Sequence, residues 1–322
     1  MNRQQGQGQE AKSPAALTGE GIIYDPFTIS LHLTDLCNSA CVFCGGDFHL
    51  HSKDSVKTGK LMNFLEKCKG DKWSTVNIHG GEPTVRKDFL FILEKIRELG
   101  YKKIILQTNA LKMADKKFAA KVNSIWVDIF TVGFHGHTPG LVEQATGRAK
   151  NFELALKGFH HIKEAGSLLR ITTVVCNLNY QNMKDICRVA IENGTDHINI
   201  SAMQPGGSTK GCLDYLMISY REAYPYIKEA IQYTLAENKI VTLEGFPHCA
   251  VPGFETYQVN WKKQQLKVLY GDMVIDDFNN FVSATQRSKT EVCTGCTLQS
   301  FCGGVYSGYL SIYGPKEFKA YR

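Results

Sequence analysis

Between residues 28 and 203, short β-rich runs alternate with longer amphipathic stretches, and this repeat constrains the fold more than anything else in the chain. Strands are expected at Thr28–Leu33, Thr75–His79, Lys103–Gln107, Trp126–Val132, Arg170–Val175 and His197–Ala202. Helices are expected near Lys57–Lys69, Lys87–Leu99, Ala114–Val122, Asn151–Ala165 and Asn182–Glu192, with turns at Gly70, Gly100, Gly166 and Gly194. Strands that alternate with helices pair in parallel through right-handed crossovers. Six such units are two short of a closed eight-unit barrel, so the expected fold is α/β, a partial (β/α)6 TIM-like barrel. Its site should lie in the loops at the C-terminal ends of the strands.

After Pro205-Gly206-Gly207 the regular alternation is expected to stop, giving way to a helix near Tyr220–Asn238 and a Gly/Pro-rich stretch from Gly245 to Gly253. The expected organisation is a flexible N-terminal arm over 1–24, a core barrel over 25–205, a linker helix region over 206–240 and a small cysteine-rich domain over 241–322. A module of that last size is usually stapled by metal.

The chain has eleven cysteines. No run of 18 apolar residues is present, and Met1–Tyr24 has no apolar segment of the kind a secretion signal needs, so a reducing cytoplasmic setting with no membrane contact is expected. The net charge of +6 is spread along the chain without a basic block, which makes nucleic acid an unlikely partner. Cys37, Cys41 and Cys44 form a C-x3-C-x2-C run just after the first strand. Three thiolates on one loop can hold three irons of a cubane cluster and leave the fourth open to a small molecule. They can also hold zinc if His32, His49 or His51 supplies the fourth ligand.

The second strand ends in His79-Gly80-Gly81-Glu82-Pro83. Two glycines let a ligand approach the backbone, and exposed carbonyls with a carboxylate can accept hydrogen bonds from an ammonium group. The same residues also suit a plain strand-to-helix turn. Taken in order on successive strand ends, the C-x3-C-x2-C run and GGEP resemble the radical S-adenosylmethionine (SAM) superfamily.

The resemblance covers roughly residues 28–203. It implies a [4Fe–4S] cluster on Cys37, Cys41 and Cys44 whose electron cleaves bound SAM to a 5′-deoxyadenosyl radical. It further implies that Phe43 lies near the adenine and that Gly80, Gly81 and Glu82 hold the methionine amino group. Thr108 and Asn109 resemble the family's T-N element, which faces SAM. Val132-Gly133-Phe134-His135-Gly136 resembles a V-S-L-H-G segment, with Gly133 in place of a ribose-contacting serine and His135 as its substitute. Arg148 is a candidate partner for the SAM carboxylate and otherwise a solvated loop arginine. Asn177 is a candidate for the ribose hydroxyls and otherwise a turn residue.

Cys293-x2-Cys296-x5-Cys302 resembles the core of SPASM and Twitch extensions, and Cys249 would complete four thiolates for one auxiliary [4Fe–4S] cluster. That implies a small Twitch-like C-terminal extension; four-cysteine zinc is the alternative. Cys68, Cys176 and Cys187 read as buried thiols. Cys212, after the sixth strand, is either an ordinary loop cysteine or a hydrogen-atom donor to a substrate radical. The expected reaction is hydrogen abstraction from a peptide, or from a sugar, nucleoside or other small natural-product precursor. No N-terminal domain of a size to capture a leader peptide is visible, which favours the small molecule; the extension favours the peptide. Flavodoxin or ferredoxin would supply the electron.

Overall fold

The computed structural model describes residues 25–46, 55–70, 72–148, 150–209, 211–259 and 263–322. The expected arm over 1–24, and with it His49 and His51, lies outside the described residues.

Six parallel βα units form as expected. The strands are β1 (Phe27–His32), β2 (Thr75–His79), β3 (Lys103–Thr108), β4 (Ile129–Gly133), β5 (Leu168–Val175) and β6 (His197–Ala202). The helices between them are α1 (Thr58–Cys68), α2 (Phe89–Glu98), α3 (Lys116–Ile125), α4 (Pro139–Thr146), α5 (Asn151–Glu164) and α6 (Met183–Glu192). The fourth strand begins three residues later than expected because Trp126 takes φ +72° and closes α3. At the start of α4, Thr138 Oγ1 accepts from Leu141 N with Pro139 next in line, and Gly147 ends the helix in the left-handed region.

The alternation does not stop at Pro205. Helix α7 (Tyr220–Ala236) crosses to β7 (Ile240–Glu244), which pairs in parallel with β6. On the other side, β8 (Gln265–Tyr270) pairs in parallel with β1, and β9 (Met273–Ile275) turns back antiparallel to β8. The result is a nine-stranded sheet in the order β7-β6-β5-β4-β3-β2-β1-β8-β9. The residues between β7 and β8 touch both sides: Val259 N donates to Leu243 O on β7, and Gln264 Nε2 reaches Thr28 Oγ1 on β1. Helix α8 (Phe278–Gln286), a two-stranded sheet of β10 (Arg287–Ser288) and β11 (Val305–Tyr306), and helix α9 (Ser307–Tyr313) complete the described chain.

Side-chain alternation assigns the two faces of the sheet. Ile29, Leu31, Val76, Ile78, Ile104, Leu106, Phe130, Val132, Leu169, Ile171, Ile198, Ile200, Val241 and Leu243 are all buried and belong to one core. Each fully buried aliphatic side chain contributes about 1.5–3 kcal/mol. Most intervening positions, such as Ser30, Asn77, Gln107, Thr131, Thr172, Asn199 and Thr242, are polar, with a small apolar cluster of Ile105, Ile129 and Leu168 among them. Parallel strands with two apolar faces read as continuous apolar runs. Here one face is mostly polar, so the concave side is a lined space rather than a packed core.

Candidate active site

The loop after β1 is held from several directions. Gly81 N donates to Thr34 O at 2.6 Å and Glu82 N to Leu36 O at 2.9 Å, which ties the GGEP turn to the approach to Cys37. Ala40 N donates to Thr146 O and Val42 N to Ala145 O at the end of α4. Asn109 Nδ2 reaches Asn38 Oδ1 at 2.6 Å, and Asn151 Nδ2 reaches Thr146 Oγ1 at 2.8 Å. A β on Gly80 or Gly81 would lie 2.5 Å from the Thr34 or Leu36 carbonyl oxygen, and Gly80 has φ +138°. Both positions therefore need glycine.

Cys37, Cys41 and Cys44 line a cavity of about 390 Å³ together with Gly80, Gly81, Thr108, Asn109 and His135, and no other cysteine is among its described lining residues. Burial, with smaller contributions from Glu82 and Cys44, pushes the Cys37 thiol up to about 11. Burial and its two neighbouring cysteines push Cys41 to about 12. Thiolates here need a compensating positive charge, which a bound metal group provides.

Glu82 lies elsewhere than expected. It is fully buried, is not among the cavity-lining residues, and accepts from Thr84 N, Thr84 Oγ1, Thr108 Oγ1 and Asn109 N. Burial raises its pKa and these four donors oppose the rise. Its carboxylate therefore positions the end of β3, and the backbone at Gly80 and Gly81 is what faces the cavity.

His135 lines the cavity and is buried, and its ring packs on Phe43 with centroids 4.4 Å apart. Burial lowers its pKa to about 3, so the ring is neutral. Val174 N donates to Nδ1 at 3.2 Å, which leaves the ring proton on Nε2. A β carbon on residue 133 would lie 2.9 Å from that Nε2, so His135 fills the space a serine would need. His135→Ala is expected to raise the SAM KM by up to about tenfold, the value of one hydrogen bond. Gly133→Ser alone should also impair binding, whereas Gly133→Ser/His135→Ala should recover most of the loss. Additive losses in the double variant would exclude the substitution.

The structure does not bring Asn177 or Arg148 to the cavity lining. Asn177 is exposed just past β5, and its Nδ2 donates across to Tyr215 O. Arg148 is half-buried, with its Nε buried and unpartnered. Cys212 is half-buried outside the cavity lining, with its thiol 3.6 Å from Thr209 O. His32 bonds Asp35 at 2.6 Å and packs against His79 and Tyr270, not on the cysteine loop. Cys68, Cys176 and Cys187 are buried.

Cys249, Cys293, Cys296 and Cys302 border one small cavity with Phe318 and Tyr321. Burial and the charges of Cys302 and Cys293 raise Cys249. Burial also acts to raise Cys302, but hydrogen bonds from His248 and Gly304 outweigh it and bring that thiol down to about 6. Among the described residues no three His, Cys, Asp or Glu have the arrangement to hold a single metal ion. A cubane asks for something different, because each thiolate takes a separate iron.

Residues 31–190 match the Radical SAM superfamily family model. The chain belongs to the radical SAM superfamily. This superfamily consists of enzymes, and membership implies a [4Fe–4S] cluster and SAM. The three-thiol loop of this radical SAM chain fits the cluster by its donor set and by its place on the cavity. GTP 3′,8-cyclase of Haemophilus influenzae is 30% identical over 177 residues, which is 52% of this chain and 52% of that one. The chain thus spans about half the length of that relative. Among solved structures, Streptococcus suis SuiB bound to S-adenosylmethionine superposes with TM-score 0.67 at 17% identity, covering 95% of this chain and 79% of that one. SuiB has also been solved bound to its precursor peptide SuiA. anSMEcpe with bound AdoMet gives TM-score 0.63 at 12% identity over 92% and 93% of the two chains. These structural likenesses establish the fold.

Sequence reasoning missed the polar lining of the barrel, including Asn77, Gln107, Thr131, Arg170, Thr172 and Glu244. The signal was present as a polar residue at every second position of most strands. It also missed Ser39, Thr146 and Asn151, whose role depends on contacts between distant loops.

Proposed function

We propose that this chain cleaves SAM reductively and uses the 5′-deoxyadenosyl radical to abstract a hydrogen atom from a peptide. The observation that carries the reading is one cavity that joins Cys37, Cys41 and Cys44, the backbone of Gly80 and Gly81, and the polar barrel interior. The cluster, when bound, supplies the electron that breaks the sulfonium bond, and a flavodoxin or ferredoxin in the cytoplasm would replenish it. The chain's own residues position and shield. Gly80 and Gly81 would let the methionine end approach the backbone, Glu82 fixes the β3 end through Thr108 and Asn109, and His135 Nε2–H would serve the nucleoside end. A carbon radical reacts with any C–H bond it meets, so holding one bond in place is the source of selectivity.

The peptide reading draws support from the SuiB fold, which binds a precursor peptide. A second reading, a nucleoside or other small molecule, draws support from the GTP 3′,8-cyclase relative. We further propose that Cys249, Cys293, Cys296 and Cys302 hold an auxiliary [4Fe–4S] cluster in a Twitch-like extension; the bounds expected for it (241–322) and for a linker (206–240) give way, because β7, β8 and β9 belong to the same sheet as the core strands. The shared small cavity supports that set. Anaerobic reconstitution tests the proposal. A brown protein that forms 5′-deoxyadenosine and methionine in equal amounts with dithionite and SAM supports it, and a colourless zinc protein that forms neither overturns it.

A further inference from the structure

The barrel interior carries one charged pair. Arg170 on β5 is buried, Glu244 ends β7, and both line the cavity that holds the cysteine loop. They are the only charged side chains among its described lining residues, apart from the cysteines, since His135 is neutral. Arg170 Nη2 stands 3.5 Å from Glu244 Oε2, well beyond the 2.7–2.9 Å of a close charge-assisted bond. Glu244 is braced from the other side: Asn199 Nδ2 donates to Oε2 at 2.9 Å, and Asn199 Oδ1 accepts from Thr242 Oγ1 at 2.7 Å. A buried ion pair is a weak source of stability, because desolvation offsets the attraction. Placed at the wall of a cavity, the pair presents a donor and an acceptor to whatever the cavity holds.

We propose that Arg170 and Glu244 together read a neutral group offering an acceptor and a donor side by side, and that this group is a peptide amide. Its carbonyl oxygen accepts from the Arg170 guanidinium and its N–H donates to the Glu244 carboxylate. Part of the wall agrees in chemistry, since Asn77, Gln107, Thr131 and Thr172 are amides and hydroxyls, while Ile105, Leu111, Phe134, Val142 and Leu266 offer apolar contact. A nucleoside triphosphate fits poorly. It brings three or four negative charges into a space where the one arginine is balanced by one carboxylate, and each uncompensated buried charge costs several kcal/mol. The inference rests on the reading of this cavity as the site of SAM-dependent chemistry and narrows its substrate class.

The test uses the full-length, cluster-loaded protein with SAM and no reductant. A synthetic random hexapeptide library is passed over it, and retained peptides are quantified by mass spectrometry, with GTP titrated separately as a ligand and as a competitor. The wild type is expected to retain a subset of hexapeptides. Arg170→Gln and Glu244→Gln, matched to wild type in iron content and melting temperature, should each lower retention by at least about tenfold. GTP should neither bind nor displace the peptides. Equal retention in both variants, no retained peptide, or GTP binding at micromolar concentration would each overturn the inference. The GTP and library arms on the wild type stand even if the variants fold poorly. A separate dithionite assay for 5′-deoxyadenosine without peptide tests the underlying SAM reading, so the two failures can be told apart.

Discussion

Replacing Cys37, Cys41 and Cys44 together by alanine is expected to abolish 5′-deoxyadenosine formation and to lower the iron content from about eight to about four per chain. The two cysteine sets border separate cavities, the larger holding Cys37, Cys41 and Cys44 and the smaller holding Cys249, Cys293, Cys296 and Cys302. Emptying one should leave the other intact. The loop's hydrogen bonds with Thr146, Ala145, Gly81 and Glu82 are made by backbone atoms, so alanine at the thiol positions preserves them. The variant should therefore fold and keep a visible iron–sulfur absorbance. Loss of all iron on triple replacement would mean that the two sets do not load independently. Retention of SAM cleavage would remove the cysteine loop from the mechanism altogether. Iron analysis and product chromatography on the same preparation decide.

Gly81→Ala is expected to reduce SAM cleavage by about a hundredfold without changing any ligand. The added methyl would sit 2.5 Å from Leu36 O and 2.9 Å from Asp35 O, which are backbone atoms with no rotamer to adopt. Relief requires the approach to Cys37 to shift by something near 1 Å, and a displacement of that size in a reacting geometry costs about 10²-fold. Gly59→Ala is the matched control. It lies in α1 with nothing within 4 Å of the new carbon, so alanine should be neutral or stabilise the helix by up to about 1 kcal/mol. If Gly81→Ala cleaves SAM at the wild-type rate, the GGEP turn does not set the position of the cysteine loop.

Much of this is legible in the amino-acid sequence. The six strands from β1 to β6 followed from local periodicity, and the cysteine loop and GGEP turn followed from residues adjacent in sequence. What escaped depended on distance. β8 reads as Gln-Leu-Lys-Val-Leu-Tyr, a plausible strand, but nothing local says that it pairs with Phe27–Leu31. β7 was obscured because the Gly/Pro-rich stretch right after it reads as the end of regular structure. Glu82 has the right residue type on the right strand end, yet Thr84, Thr108 and Asn109 occupy its acceptors, and two of those donors come from another strand. Asn177 sits just past β5, where the chain has already turned outward to Tyr215 and Leu216.

The pairing of β8 with β1 has a consequence for how the protein is made. During synthesis β1 emerges first and its partner on one side, β8, about 240 residues later. Contacts so far apart in sequence form slowly. Until then β1 lacks its partner on that edge. Docking of β8 and of Gln264 against Thr28 then closes that side. The strand that carries the cysteine loop is thus the first of the sheet to be made and among the last to be covered on both edges.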